Sequence, residues 1–266
     1  MTQRATDLIN ARKNATFLTP PTSEGDFDLS AAYRVADELM RQRTQNNVGQ
    51  NHEVVGRKIG LTNTAAWDKL GISAPVWGYM YTDTVHYAQD NAIHLSLSGM
   101  AAPRLEPEII FRWHGGKEDL PNNLLDNIEW LALGYEVVDC HYPDWTFKPA
   151  DAVADFGLHA ALIVGQPYVV TQERKEGLEN ALKTIRVTLY KDDQEVAQGS
   201  GADVMGSPLN ALEGLLSLLA ERSDSLKPGD IVTTGTFTPP TSVQAGESYT
   251  AVAEGVGLGP LQVTLT

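Results

Sequence analysis

Three glutamates in the middle of the chain have the residue type and spacing of a cation site. Glu106 and Glu108 are two residues apart in a strand-like stretch, so both carboxylates project from one face. Glu136 stands in a second strand-like stretch among aromatic and β-branched residues, where a carboxylate is costly to bury unless a cation pairs with it. Mg²⁺ prefers oxygen ligands and leaves several positions to water or substrate. The spacing is therefore compatible with a divalent-metal site, although acidic pairs two residues apart also occur on solvated faces.

Strands are needed to position these carboxylates, and the hydrophobic pattern predicts them. Strand-like segments lie at residues 53–59, 105–113, 135–140, 160–164, 185–190 and 195–198, with the last two in a hairpin. Helix-like segments lie at residues 30–42, which Asp28 or Ser30 can cap, at 64–70 and at 121–134. A further helix begins at Pro208 with Ser207 as its cap, and its apolar stripe is formed by Leu209, Leu212, Leu215, Leu216 and Leu219. Pro107, between the two paired glutamates, indicates a strand edge or a bulge. The pattern predicts an α+β protein with a mostly antiparallel or mixed sheet, and it disfavours a doubly wound fold.

Charge and composition exclude several classes of function. The 266 residues include 34 Asp and Glu against 20 Lys and Arg, which gives a formal net charge of −14. A protein this acidic is not expected to bind nucleic acid or an anionic membrane through bulk electrostatics. Residues 1–12 lack the apolar core of a signal peptide, the apolar runs are too short to span a bilayer, and the single cysteine cannot form an intramolecular disulfide. These features predict a cytoplasmic protein.

Two further patterns favour ordinary interpretations. Gly255, Gly257 and Gly259 resemble a dinucleotide loop, but Pro260 and the lack of a following helix argue against a nucleotide site. Cys140 and His141 are adjacent, yet neighbours on a strand point to opposite faces. A small buried thiol is therefore favoured over a catalytic Cys–His pair.

Six short segments, each containing glycine or proline, follow one another along the chain. They are Lys58-Ile59-Gly60-Leu61-Thr62, Pro103-Arg104-Leu105-Glu106-Pro107-Glu108-Ile109, Gly134-Tyr135-Glu136-Val137-Val138-Asp139, Gly206-Ser207-Pro208-Leu209-Asn210-Ala211-Leu212, Leu226-Lys227-Pro228-Gly229-Asp230-Ile231-Val232 and Thr234-Gly235-Thr236. In order and content they resemble the fumarylacetoacetate hydrolase superfamily over most of the chain. Within it, they are most similar to the branch of 2-hydroxypentadienoate hydratases and 4-oxalocrotonate decarboxylases.

The resemblance implies a fold, a cofactor and a class of substrate. The fold is a mixed β-sheet roll at residues 81–266, with a smaller helical or α/β cap region at residues 1–80. The cofactor is Mg²⁺ or Mn²⁺, the substrate is a small anionic 2-oxo acid, and the protein is a homo-oligomer. Carried over by motif, the metal ligands are Glu106, Glu108 and Glu136.

The resemblance also implies residues beside the substrate. Lys58, Asp155 and His159 are the candidates for proton transfer. The candidates for substrate binding are Leu61, Thr62, Arg57, Lys148 and Thr236. Each has an ordinary alternative, since Lys58 could be a surface lysine, Asp155 could cap a turn and His159 could be a core histidine.

The chain departs from the family pattern near the expected pocket. Asp139-Cys140-His141 stands where the family often has Asp-Ser-Arg, and Ala154-Asp155-Phe156 stands where it often has Ala-Asp-Asn. These changes leave the three glutamates intact and put the usual substrate in question.

The implied chemistry uses the cation as an electron sink for a 2-oxo acid. Water addition through a metal-bound enolate, in the meta-cleavage catabolism of aromatic compounds, gives a hydratase, which is the leading hypothesis. The alternatives are a 4-oxalocrotonate-type decarboxylase, an acylpyruvase-like hydrolase that cleaves a C–C bond of a diketo acid, and a non-catalytic supporting subunit. A decarboxylase must hold a second carboxylate, for which Arg57, Lys148, His141 and His159 are the candidate cations.

Overall fold

The computed structural model describes residues 2–45, 52–115 and 124–266. The helices are α1 (Thr2–Asn14), α2 (Leu29–Gln45), α3 (Trp67–Leu70), α4 (Pro149–Ala154), α5 (Gln172–Lys175), α6 (Leu178–Thr184) and α7 (Pro208–Glu221). The strands are β1 (Val54–Gly60), β2 (Val76–Tyr81), β3 (Val85–Tyr87), β4 (Ala92–Leu95), β5 (Pro103–Trp113), β6 (Ile128–Asp139), β7 (His159–Val164), β8 (Tyr168–Val169), β9 (Arg186–Lys191), β10 (Gln194–Ser200), β11 (Ile231–Thr233), β12 (Thr241–Ser242), β13 (Ser248–Glu254) and β14 (Leu261–Leu265).

The larger sheet curls into a roll. Its strands follow the order β2-β1-β11-β5-β6-β7-β3, with β12 pairing with β5 and β8 with β6. β1 runs parallel to β11 and β3 parallel to β7, while β5 is antiparallel to both β6 and β11. A three-residue turn, Thr82–Thr84, joins β2 at one end of this order to β3 at the other, so the sheet bends back on itself. The α+β class and the mixed sheet roll predicted from the sequence are confirmed.

Apolar side chains cover both faces of the roll. Met80, Ile110, Leu162 and Ile231 come from strands across the whole sheet and form one buried cluster, which places them inside the roll. The opposite face packs against the smaller sheet, β10-β9-β13-β14-β4, and against α7 in a second, larger cluster. The leucine stripe predicted for α7 is part of this core, and Ser207 caps the helix by accepting a hydrogen bond from the Leu209 amide.

Helices from the first half of the chain pack beside the open end of the roll. α1, α2 and α4 share an apolar cluster that includes Leu8, Leu39 and Val153, together with Val76 of β2. Asp28 caps α2, as predicted, by accepting a hydrogen bond from the Ala31 amide at 2.7 Å. Helix α1 was not predicted, because it buries only three residues, spaced by three: Ala5, Leu8 and Ala11.

The helix predicted for residues 121–134 is wrong within its described part. Leu124–Asn127 forms one 3₁₀ turn, and the chain then continues directly into β6. Both faces of β6 are buried, so its apolar residues form a nearly continuous run in which helical spacing arises by chance. Pro121, the expected start of that helix, lies outside the described residues.

Pro107 occupies a gap in the pairing of a central strand. β5 pairs with β6 along its whole length, whereas on its other side β11 pairs with residues 110–112 and β12 with residues 104 and 105. Pro107 lies between these two short partners, where its carbonyl accepts a hydrogen bond from the Phe237 amide at 3.2 Å. The missing N–H of proline therefore falls at a local edge inside the sheet.

Candidate metal centre and its cavity

Three buried glutamates converge on the central strands of the roll. Glu106 of β5 lies directly opposite Glu136 of β6, and Glu108 is two residues further along β5 on the same face. One carboxylate oxygen from each lies within 4.8 Å of the others. Glu108 and Glu136 have no exposed surface, and Glu106 is 9% exposed. The two-residue spacing and the strand pairing bring the three carboxylates together.

The carboxylate of Glu108 is held by the turn that follows β11. The hydroxyl of Thr233 and the backbone amide of Gly235 both donate hydrogen bonds to its Oε2, the amide at 2.8 Å. Its Oε1 is buried and has no hydrogen-bond partner among the described residues. An unpartnered buried carboxylate oxygen is costly, and here it belongs to the three-glutamate cluster.

Two basic side chains contact Glu136 from different sides. Lys58 of β1 places its Nζ 3.1 Å from Oε2, and the lysine is buried. His159, the first residue of β7, places its Nδ1 2.8 Å from Oε1. Lys58 and Glu136 are 78 positions apart in the chain, and only the parallel pairing of β1 with β11, itself next to β5, brings them together.

Burial and mutual repulsion raise the proton affinity of this cluster. Burial raises the pKa of Glu106 and of Glu136 to about 7, against the pull of the Lys58 charge. Burial and the charges of Glu136 and Glu106 raise the pKa of Glu108 well above its usual range. Burial lowers the pKa of Lys58, but the three carboxylates outweigh burial and raise it above its ordinary value. The single positive charge of Lys58 thus does not balance the three carboxylates of the cluster.

Glu106 and Glu108 line a cavity of about 320 Å³, here called the glutamate cavity. Lys58, Glu106, Glu108 and Arg104 supply its ionisable lining. Apolar groups line most of the remainder, among them Leu61, Val138, Trp145, Phe147 and Leu158. A few polar groups in a mostly apolar pocket are typical of a small-molecule site.

Arg104 is a cavity residue that the candidate list did not include. It is two residues before Glu106 on β5, so it shares the face of Glu106 and Glu108. Its guanidinium lies 3.9 Å from the centre of the Trp145 ring, and its Nε is buried with no hydrogen-bond partner among the described residues. The alternation 104, 106, 108 was the signal in the sequence that could have identified it.

Several candidates for substrate binding line the cavity, and others lie elsewhere. Leu61, Thr62 and Thr236 are in its wall. Arg57 lies on the opposite face of β1, where it pairs with Asp224 at 2.8 Å and its guanidinium is 4.5 Å from the centre of the Tyr79 ring. Lys148 is exposed at the start of α4.

Asp155 and His141 pair with each other behind the wall of the cavity. The carboxylate of Asp155 accepts from the His141 backbone amide at 2.9 Å and contacts His141 Nδ1 at 2.8 Å. Asp139 lies 3.5 Å from His141 Nε2. Burial lowers the pKa of His141, but Asp155 and Asp139 outweigh it and raise that pKa. Cys140 stays a buried free thiol beside them, and burial raises its pKa to about 12.

A strained turn separates Asp155 from His159. Phe156, Gly157 and Leu158 all have positive φ angles, at 53°, 64° and 62°. Two of the three carry side chains that disfavour this conformation. The turn lets Asp155 face His141 while His159, four residues later, faces Glu136.

The donor set fits a hard divalent cation. Three carboxylates, one with an unpartnered buried oxygen, offer the oxygen ligands that Mg²⁺ and Mn²⁺ take, and the cavity leaves room for water or substrate.

Residues 46–266 match the family model described as fumarylacetoacetate (FAA) hydrolase C-terminal, and the chain belongs to this family. The match begins inside the region assigned to a cap, so the division at residue 80 stays a prediction.

Relatives with assigned names are similar over nearly the whole chain. The chain is 28% identical to a 2-hydroxyhexa-2,4-dienoate hydratase of Comamonas testosteroni over 97% of this chain and 95% of that protein. It is 31% identical to a 2-hydroxypent-2,4-dienoate hydratase of Pseudomonas putida over 80% of this chain and 92% of that protein. Among solved structures, 4-oxalocrotonate decarboxylase from Pseudomonas putida G7, complexed with magnesium and adipate, matches with a TM-score of 0.87 and 25% identity over 100% of this chain and 97% of that one.

Among the helices of the described residues, none combines the length and apolar character needed to cross a bilayer. A cytoplasmic location stays a prediction from the sequence.

Proposed function

We propose that the protein is a divalent-metal-dependent lyase of the hydratase type, acting on small 2-oxo or 2-hydroxy-dienoic acids in the catabolism of aromatic compounds. The observation that carries this proposal is a cluster of three buried carboxylates within 4.8 Å of one another, two of which line a cavity of about 320 Å³. The names of the relatives support the reaction and the class of substrate.

Glu106, Glu108 and Glu136 would hold the cation, Mg²⁺ or Mn²⁺. When bound, it would polarise the 2-oxo group and stabilise negative charge that develops on the 2-oxygen. The chain itself supplies a second positive charge in Lys58, which lines the cavity next to Glu106 and Glu108. In the metal-free protein the carboxylates raise the pKa of Lys58, and its ammonium is placed to donate a hydrogen bond or a proton into the cavity.

The geometry supports a different role for Asp155 from the one the resemblance implies. Its carboxylate is fully buried and is occupied by the amide and the ring of His141. We propose that Asp155 holds the turn before His159 in place, and that proton transfer falls to Lys58 and to water in the cavity.

A direct assay tests the reaction. The purified protein with Mg²⁺ is given 2-hydroxypentadienoate and, separately, 4-oxalocrotonate, and the products are identified by mass spectrometry and CO₂ release. Water addition to the first substrate, abolished by a chelator and restored by Mg²⁺, is the expected result. CO₂ release from the second substrate, without hydration of the first, would replace the hydratase with the decarboxylase.

The decarboxylase is the second candidate because of Arg104. A substrate with a second carboxylate needs a further cation in the cavity, and Arg104 provides one on the same face as two of the glutamates. The matching decarboxylase structure contains adipate, which is a dicarboxylate.

Three further points stay proposals. A diketo acid added to the same assay tests the C–C hydrolase alternative, and failure with all three substrates despite metal binding would favour a supporting subunit. A homo-oligomer is expected and is tested by sedimentation velocity. Mg²⁺ and Mn²⁺ are compared by titrating each into metal-free protein.

A further inference from the structure

We infer that His159 is a positioning residue for Glu136, and that Thr84 fixes the hydrogen bonding of His159. This inference rests on the proposed function, since it takes Glu136 to be a metal ligand. His159 contacts Glu136 from the interior of the roll, whereas Lys58, the other basic partner of Glu136, lines the glutamate cavity.

The orientation of Glu136 depends on its hydrogen-bond partners. The terminal torsion of a glutamate is broad, so a buried carboxylate turns freely unless its two oxygens are held. Lys58 contacts Oε2, and His159 contacts Oε1 at 2.8 Å from the other side. His159 therefore decides how the carboxylate plane faces the other two glutamates.

Thr84 holds the ring of His159 from the nitrogen that faces away from Glu136. Its hydroxyl lies 2.9 Å from His159 Nε2. Tyr81 holds that hydroxyl in place, with its amide donating at 3.2 Å and its carbonyl 3.0 Å away. With Nε2 anchored on Thr84, Nδ1 faces Glu136 Oε1, and its N–H donates to the carboxylate.

The backbone of His159 is fixed independently of its ring. Arg12 of α1 donates to the carbonyl of His159 at 2.6 Å and to that of Ala160 at 3.1 Å. The strained turn at residues 156–158 precedes it. The ring thus sits at a defined place, between Thr84 in the turn that closes the roll and Glu136 in the three-glutamate cluster. Partners that hold a metal ligand in this way typically change metal affinity about 10–100-fold when they are lost.

Matched substitutions test the inference by Mn²⁺ affinity, measured by calorimetry and by the EPR signal of free Mn²⁺. His159→Leu and Thr84→Val remove the chain of hydrogen bonds, and we expect Mn²⁺ binding to weaken about 10–100-fold. His159→Asn places an amide N–H near the position of Nδ1, and Thr84→Ser keeps the hydroxyl, so both should restore most of the affinity. A purely structural role would make all four variants follow the melting temperature instead.

The outcomes separate this inference from the proposed function. If the wild-type protein binds no Mn²⁺, both are wrong. If it binds Mn²⁺ and loses it in Glu106→Gln, while His159→Leu binds as tightly as wild type, only the role of His159 is wrong. ¹⁵N NMR of the histidines in metal-free protein gives a test without metal: a hydrogen at Nδ1 of His159 is expected, and an unprotonated Nδ1 would overturn its role as the donor to Glu136.

Discussion

Glu106 and Glu136 stand directly opposite each other on neighbouring antiparallel strands, and both carboxylates are buried. Like charges in such a pair destabilise a sheet, and burial adds to the cost. Lys58 offsets part of it through its contact with Glu136. The facing carboxylates therefore destabilise the metal-free protein at the site where we propose that a cation binds.

Neutralising Glu106 should separate stability from metal binding. At pH 8 the ionised side chain is disfavoured in the folded state, because its pKa there is raised to about 7. Glu106→Gln should therefore raise the melting temperature of metal-free protein, by about 2–4 °C for each kcal/mol gained. It should also weaken Mn²⁺ binding by about 100-fold or more. Loss of a residue that only holds a metal ligand in place weakens binding about 10–100-fold, and Glu106 is itself a proposed ligand. Glu129→Gln, which changes an exposed glutamate of β6, is the control and should do neither.

Metal binding should strengthen as the pH rises through neutrality. Glu106 and Glu136 have pKa values of about 7, so protons compete with the cation below that pH, and binding releases them. Calorimetry of Mn²⁺ binding between pH 6 and 8.5, in buffers of different ionisation enthalpy, counts the protons released. Affinity that stays constant across this range, with no proton release, would contradict the raised pKa values.

Arg104 should distinguish substrates by their second carboxylate. In Arg104→Gln we expect the KM for 4-oxalocrotonate to rise about 10-fold or more, since a hydrogen bond between charged groups is lost. The KM for 2-hydroxypentadienoate, which has one carboxylate, should change little. Arg104→Lys keeps the charge, so its KM for 4-oxalocrotonate should lie between that of the wild-type protein and that of Arg104→Gln. Equal effects of Arg104→Gln on both substrates would show that Arg104 does not recognise the distal carboxylate.

His141 should make the stability of the fold depend on pH. Asp155 and Asp139 raise its folded-state pKa above the ordinary 6.5, so the imidazolium stabilises the folded protein. That contribution is complete below about pH 6.5 and is lost as the pH rises through the folded-state pKa. Urea unfolding at steps from pH 5.5 to 9 should show the wild-type advantage over His141→Gln shrinking with rising pH. In an Asp155→Asn background, where the main partner of His141 is neutral, the effect of His141→Gln on the free energy of unfolding should change less with pH.

The turn at Gly235 should not tolerate a side chain. Gly235 has a φ of 100°, and an added Cβ would lie 2.1 Å from Thr62 Oγ1. Gly235→Ala should therefore displace either the turn that donates to Glu108 or the loop at Thr62, with loss of Mn²⁺ affinity and of the melting temperature. Gly214→Ala in α7, where the nearest atom is the flexible end of Met205, serves as the control. A Gly235→Ala protein that binds metal normally would show that the turn adapts.

The sequence predicted the parts of this molecule that depend on local patterns. Alternation placed Glu106 and Glu108 on one face, and the caps at Asp28 and Ser207 marked real helix starts. The α+β class, which the pattern predicted, and the sheet roll, which the family resemblance implied, are both confirmed.

The parts that depend on long-range pairing could not be derived in that way. Strand β6 is buried on both faces, so no period distinguished it from a helix. The contacts of His159 with Glu136 and Thr84 require β7 to lie between β6 and β3, which is a property of the closed sheet. The same limit left Asp155 as a candidate for proton transfer, whereas Arg104 could have been identified from the local alternation 104, 106, 108.

The parallel pairing of β1 with β11 has a kinetic consequence. It joins Arg57 to Val232, which are 175 positions apart, and the loop between them contains most of the roll. Contacts of such high sequence separation slow folding, because the entropy of closing the loop is lost before the contact forms. Lys58 can reach Glu136 only after this closure. The contact between Lys58 and Glu136 should therefore form later in refolding than the pairing of β5 with β6, whose facing residues Glu106 and Glu136 are 30 positions apart.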